Sequence, residues 1–217
     1  MKRPLWKRSG YIVVHGLLRL GCLLMFRLRC HGREKVPPTG AILICSNHQS
    51  YLDPMLLGVC FNEGLNYLAR KSLFNSPIFG WAIAYLDAIP INRDGMSLEG
   101  IKETLRRLKR GERVLMFPEG TRSEDGSLGE IKPGICALAR RGKAAILPMA
   151  VDGAYDAWPR RVKLPRSVTV TVTIGELIPA NEVAQLSDEQ LVAELQQRIA
   201  TSFAEAKQIR HTYDRVP

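Results

Sequence analysis

The amino-acid sequence predicts an α/β protein, a largely parallel mixed sheet flanked by helices. Two observations carry that prediction. Short apolar runs of strand length recur along the chain at 41–46, 65–69, 88–91, 114–117 and 145–151. Helical patterns fall between them, as expected where parallel strands are joined by crossover helices. Composition sets the scale. With 217 residues, 46 % apolar and 24 % charged, the chain fits one compact domain rather than a disordered or wholly membrane-embedded polypeptide.

The amino-terminal segment stands apart. Residues 1–40 carry nine cations against Glu34 alone, much of the formal net charge of +10. Such an arm suits an anionic partner. Tyr11 to Phe26 is mostly apolar but holds His15 and Arg19. It falls short of the ~20 residues needed to span a bilayer. An arginine near its middle would cost about 2.5–3.5 kcal/mol on insertion, and no small-residue cleavage site of a signal peptide follows. On a helix, Arg8, His15, Arg19 and Arg27 form one narrow polar stripe beside a broad apolar face. That pattern fits a helix lying in a membrane interface; the plainer alternative is an amphipathic helix packed on the domain. Nucleic acid is not the expected partner, because stacking aromatics do not alternate with the cations. We therefore divide the chain into a basic amphipathic membrane-anchoring segment, 1–35, and a folded α/β domain, 36–217.

Beyond the Pro37–Gly40 turn, the first strand (41–46) leads to a helix near 54–62, with Asp53 suited to the N-cap and Pro54 to the first helical position. Ser76-Pro77 opens another helix running through Tyr85, and Asn92–Gly95 is a turn. Helix 97–110 should bury Leu98, Ile101, Leu105 and Leu108 on one face, with Gly111 as its stop. Lys132-Pro133-Gly134 starts helix 134–141, ended by Gly142. Ser167 to Ile174 alternates strictly and reads as a strand with one face toward solvent. Ser187 to Gln190 is a capping box opening a closing helix, with Leu191, Leu195, Ile199 and Phe203 inward. The five cysteines lack CxxC or metal-ligand spacing and read as free thiols.

If the strands are parallel, the loops that follow them emerge at one carboxyl edge, where open α/β sheets bind ligands. Those loops begin with Asn47-His48, Arg70-Lys71, Asn92-Arg93 and Pro118-Glu119. A histidine with a nearby carboxylate, Asp53, can take a proton and be oriented while doing so. Taken alone, the pair also reads as a loop residue and a helix cap. Phe117 to Ser123 adds Gly120 for a tight turn, Thr121 as a hydroxyl donor and Arg122 as a bidentate fork for phosphate oxygens. The chain has no HxxxH, GxSxG or GxxxxGK[ST] pattern.

Asn47-His48-Gln49-Ser50-Tyr51-Leu52-Asp53 resembles the NHxSxxD motif of the glycerolipid acyltransferases, typified by 1-acyl-sn-glycerol-3-phosphate acyltransferase. Phe117 to Ser123 resembles their FPEGTRS motif, and Leu147 to Val151 their last, proline-containing motif. Ala69 to Leu73 and Pro77 to Trp81 resemble the segment between the first two motifs. One block departs: Asp87 stands where the family's second motif has glycine and Pro90 among its apolar positions, although Arg93 is kept. The resemblance implies the glycerolipid acyltransferase fold. It also implies acyl transfer from an acyl thioester, acyl-CoA or acyl-carrier protein, to the free hydroxyl of a lysophospholipid. His48 is then the general base and Asp53 its partner. Lys71, Arg93, Glu119, Gly120, Thr121 and Arg122 bind the acceptor. No metal or resident cofactor is implied, since the acyl carrier is a co-substrate. The expected place is the cytoplasmic face of a membrane. Alternatives are another acceptor (glycerol-3-phosphate, a different lysophospholipid or a lyso-aminolipid) or a non-catalytic basic membrane-binding protein on the same scaffold.

Overall fold

Seven strands form the central sheet of the computed structural model, which describes residues 5–62, 64–71, 75, 89–91, 98–160, 162 and 164–214. In chain order they are β1 (Arg29–His31), β2 (Ile42–Ser46), β3 (Asn66–Arg70), β4 (Ile89–Ile91), β5 (Arg113–Met116), β6 (Ala145–Asp152) and β7 (Thr171–Ile174). Their order across the sheet is β1-β7-β6-β2-β5-β3-β4. The five strands from β6 to β4 are parallel, whereas β7 runs antiparallel to β6 and carries β1 parallel beside it. The expected largely parallel mixed sheet is what forms. Its edge strand β1 lies within the first 35 residues, so the segment read as an anchor joins the sheet at its end.

The helices are α1 (Leu5–Phe26), α2 (Asp53–Gly58), α3 (Leu98–Lys109), α4 (Gly134–Gly142), α5 (Ala154–Ala157), α6 (Ala180–Gln185) and α7 (Asp188–Asp214). Layers on both sides explain why β2 is a continuous apolar run: all five of its residues are buried. Ile42 and Ile44 pack with Leu56, Leu57, Met149 and Val172 on the α1/α2 side. Leu43 and Cys45 pack with Leu108, Leu138, Leu191 and Leu195 on the other.

Several local expectations hold for physical reasons. The Ser187 hydroxyl accepts the Gln190 amide at 3.2 Å while the Gln190 side chain accepts the Ser187 amide at 2.9 Å, a complete capping box. Leu191, Leu195, Ile199 and Phe203 of the helix it opens are buried. Gly111 adopts φ +75°, the left-handed stop expected after α3.

Others need correction. Lys143, not Gly142, takes the left-handed turn after α4 (φ 49°); Gly142 is the last helical residue, where a Cβ would meet Leu108 at 2.7 Å. The threonine face of β7 does not meet solvent. Thr169, Thr171 and Thr173 are buried because α7 lies over this part of the sheet. Leu98 is exposed, so the buried face of α3 rests on Leu108, flanked by Ile101 and Leu105. Helix α2 is a short six-residue turn, and Asp53 is its first helical residue rather than its cap. The expected helix 76–85 and the turn 92–95 lie outside the described residues.

Helix α1 is turned opposite to an ordinary surface helix. Leu18, Cys22 and Phe26 pack on the core, with His15 and Arg19 half-buried beside them, so these two residues of the polar stripe face the domain, whereas Arg27, just past the helix, is exposed. The broad apolar face, including Ile12, Val13, Leu17, Leu20 and Leu24, is exposed. No helix among the described residues is long and apolar enough to cross a membrane.

Candidate active site

The two signature loops leave neighbouring strands side by side. β2 and β5 pair in register, Cys45 opposite Met116, so Asn47-His48 and Phe117-Pro118 emerge together at the carboxyl edge. His48 Nδ1 lies 2.6 Å from Asp53 Oδ2. The same oxygen accepts the backbone amides of Gln49 at 2.6 Å and Ser50 at 2.8 Å. Asp53 is fully buried, and its other oxygen has no hydrogen-bond partner among the described residues. A buried carboxylate with three donors on one oxygen is locked in place, and it fixes which ring nitrogen of His48 is engaged. That leaves Nε2 as the nitrogen free to take a proton.

The other polar residues of the loop are fasteners. The Asn47 amide bonds both the N–H and the C=O of Val151 in β6, at 2.8 and 2.9 Å, like one rung of a strand ladder. Gln49 donates to the Gly126 carbonyl at 2.7 Å and accepts the Tyr155 amide at 3.3 Å. The Ser50 hydroxyl donates to the Trp158 carbonyl at 2.9 Å. Each satisfies backbone groups that a buried loop would otherwise leave bare.

The second loop closes on the histidine itself. The His48 ring stacks on Phe117, 3.9 Å between centroids and 14° apart. The His48 carbonyl accepts the Ser123 amide at 2.7 Å. Glu119 is buried, and the main-chain amides of Gly129 and His48 pull on its carboxyl. Burial pushes its carboxyl up to about 7, against the pull of those amides, and the Asp53 charge adds to the rise. Gly120 has φ +74°, a backbone conformation that favours glycine, and the Lys132 ammonium group lies over the turn. Thr121 is exposed. Arg122 is half-buried, with its guanidinium carbon 3.5 Å from the centroid of the Tyr51 ring and Nη1 buried without a partner among the described residues.

The residues singled out in the sequence are thus only partly gathered. His48, Asp53, Glu119, Gly120 and Arg122 share one locus, and Thr121 lies on its rim. Lys71 is exposed just past β3, two strands from β2. Arg93 lies outside the described residues. The sequence alone assigns no role to Tyr51, Phe117, Ser123 or Lys132. Phe117 and Ser123 belong to a recognised motif, whereas Tyr51 and Lys132 carry no spacing signal that marks them.

A buried carboxylate holding a histidine has the groups to take up a proton, and the Arg122 guanidinium stacked on the same loop has the charge to pair with an anion. A model of the family described as Acyltransferase matches residues 27–152, and the chain belongs to that family. It is similar to the 1-acyl-sn-glycerol-3-phosphate acyltransferase of Pseudomonas aeruginosa, 34% identical over 176 residues, covering 79% of this chain and 65% of that protein. It is also similar to the chloroplastic 1-acyl-sn-glycerol-3-phosphate acyltransferase LPAT1 of Arabidopsis thaliana, 33% identical over 138 residues, or 62% of this chain and 38% of that one. The chain therefore spans under two thirds of the length of these relatives. Its fold matches the crystal structure of the 1-acyl-sn-glycerophosphate acyltransferase PlsC from Thermotoga maritima, with a TM-score of 0.79 at 23% identity over 95% of this chain and 84% of that one.

Proposed function

We propose that this protein moves a fatty acyl group from an acyl thioester, acyl-CoA or acyl-carrier protein, to the free hydroxyl of a lysophospholipid. The acceptor we favour is 1-acyl-sn-glycerol-3-phosphate, giving phosphatidic acid. The observation that carries this reading is the 2.6 Å contact between His48 Nδ1 and the buried Asp53. It is joined by the 1-acyl-sn-glycerol-3-phosphate acyltransferase activity for which the relatives similar to this chain are named.

In this reading His48 Nε2 takes the proton of the acceptor hydroxyl as the oxygen attacks the thioester carbonyl. A new C–O bond forms, the C–S bond breaks as the tetrahedral intermediate collapses, and the proton passes to the departing sulfur. No acyl-enzyme forms. Asp53 holds the ring and stabilises the imidazolium; positioned proton transfer of this kind contributes about 10²–10⁴-fold. Arg122 clamps the acceptor phosphate through its guanidinium, aided by the Gly120 turn, Thr121, Lys71 and Arg93. Glu119 shapes the acceptor site from beneath by holding the His48 and Gly129 amides. The acyl carrier is a co-substrate, and no resident metal or cofactor enters the reading.

The same reading sets the protein on the cytoplasmic face of a membrane. Both substrates carry long acyl chains, and the exposed apolar face of α1 is the kind of patch that marks a membrane contact. On that side Leu17, Leu18, Cys22 and Phe26 of α1 and Met55 of α2 line a shallow, open apolar depression. The direct test is an acyl-transfer assay of the purified protein against a panel of lyso-lipids with each carrier. Formation of phosphatidic acid from 1-acyl-sn-glycerol-3-phosphate is expected. Turnover of other acceptors alone would replace the proposed substrate.

A further inference from the structure

Arg122 carries its charge with a partner of an unusual kind. Its guanidinium lies over the Tyr51 ring at 3.5 Å while Nη1 is buried without a hydrogen bond among the described residues. Leaving a buried donor unmade is costly unless something completes it. A carboxylate beside Arg122 would satisfy the nitrogen, but it would also compete with an incoming anion. An aromatic face attracts the cation, keeps it flat and leaves its N–H edge for a ligand.

Tyr51 is well placed to do this. The residue is 55% exposed, so it contributes little to the core. Its loop is nevertheless fixed on both sides, by the Ser50 hydroxyl on the Trp158 carbonyl and by the Ser50 amide on Asp53. The ring also leans on Trp158, 5.8 Å between centroids, and that indole is held by its Nε1 donating to the Val162 carbonyl at 2.8 Å. The loop that aims His48 therefore also aims Arg122.

We infer that Tyr51 is a positioning residue for the acceptor's phosphate, holding the Arg122 guanidinium over its ring so that base and anion clamp are set from one loop. This rests on the phosphate-clamp reading of Arg122 given above. The ring face does the work, and the phenolic hydroxyl is not needed.

Steady-state kinetics with varied 1-acyl-sn-glycerol-3-phosphate and saturating thioester test the inference on Tyr51→Phe, Tyr51→Leu, Arg122→Ala and the double variant Tyr51→Leu/Arg122→Ala. Tyr51→Phe should behave as the parent. Tyr51→Leu should raise the acceptor KM by about 2- to 30-fold, the range of a cation–π contact, with kcat within about twofold and an unchanged melting temperature. In the Arg122→Ala background the leucine should add nothing, because Tyr51 acts through Arg122. A parental KM for Tyr51→Leu, an equal loss in Tyr51→Phe, or full additivity in the double variant would each overturn the inference. If Arg122→Ala raises KM and Tyr51→Leu does not, only the role of Tyr51 falls. If Arg122→Ala itself leaves KM unchanged, the phosphate clamp falls and takes this inference with it.

Discussion

The imidazole of His48 lies flat against the ring of Phe117, 3.9 Å between centroids and 14° from parallel. Asp53 holds the edge of the imidazole and Phe117 its face, so the orientation of the ring comes from both signature loops. Replacing Phe117 with alanine should leave the Asp53 contact but free the ring to tilt. An aromatic pair contributes about 0.5–1.5 kcal/mol beyond the area it buries. We expect kcat to fall roughly 2- to 12-fold in Phe117→Ala, with Phe117→Tyr near the parent, in a single-turnover acyl-transfer assay. An alanine variant with parental kcat would show that Asp53 alone suffices.

Glu119 makes stability depend on pH. Burial raises its folded-state value from 4.5 to about 7. The folded protein therefore binds this proton more tightly than the unfolded chain does. The stabilisation is complete below about pH 4.5 and is lost as pH rises through about 7. Glu119→Gln carries no titrating group here, so its melting temperature relative to the parent should climb between pH 5 and pH 8. A difference that stays flat across that range would refute a raised value for Glu119.

The outward apolar face of α1 is open to a direct measurement. Leu17 and Leu24 are 64% and 75% exposed, so Leu17→Glu/Leu24→Glu should fold normally. If α1 lies in the lipid interface, the pair should abolish co-sedimentation with anionic vesicles at low salt. Undiminished pelleting would place the membrane contact elsewhere on the protein.

Much of this architecture is legible in the sequence because its causes are local. The buried strands read as apolar runs since both faces of the sheet are covered, and the Ser187–Gln190 box announces the start of α7 by itself. Misreadings arise where distant elements decide. The alternation of Ser167 to Ile174 suggests a wet face, but α7, which follows β7 in the chain, covers its threonines. Gly142 looks like a terminator, yet what it answers to is Leu108 on another helix. The His48–Asp53 pair sits in one short loop and is legible from spacing. The grip of Ser123, Phe117 and Glu119 on His48 joins loops that meet only once β2 and β5 pair. Tyr51 and Lys132 likewise owe their positions to tertiary packing and leave no periodic trace.

The central claim is that His48 is the general base, and the turnover number of His48→Ala measures it most directly. His48 is half-buried at a loop whose backbone is held by Asn47, Gln49 and Ser50, so the variant should stay folded, as a retained melting transition will report. We predict that transfer of the acyl group to 1-acyl-sn-glycerol-3-phosphate falls by about 10²–10⁴-fold. A folded His48→Ala protein turning over within a few-fold of the parent would contradict the account.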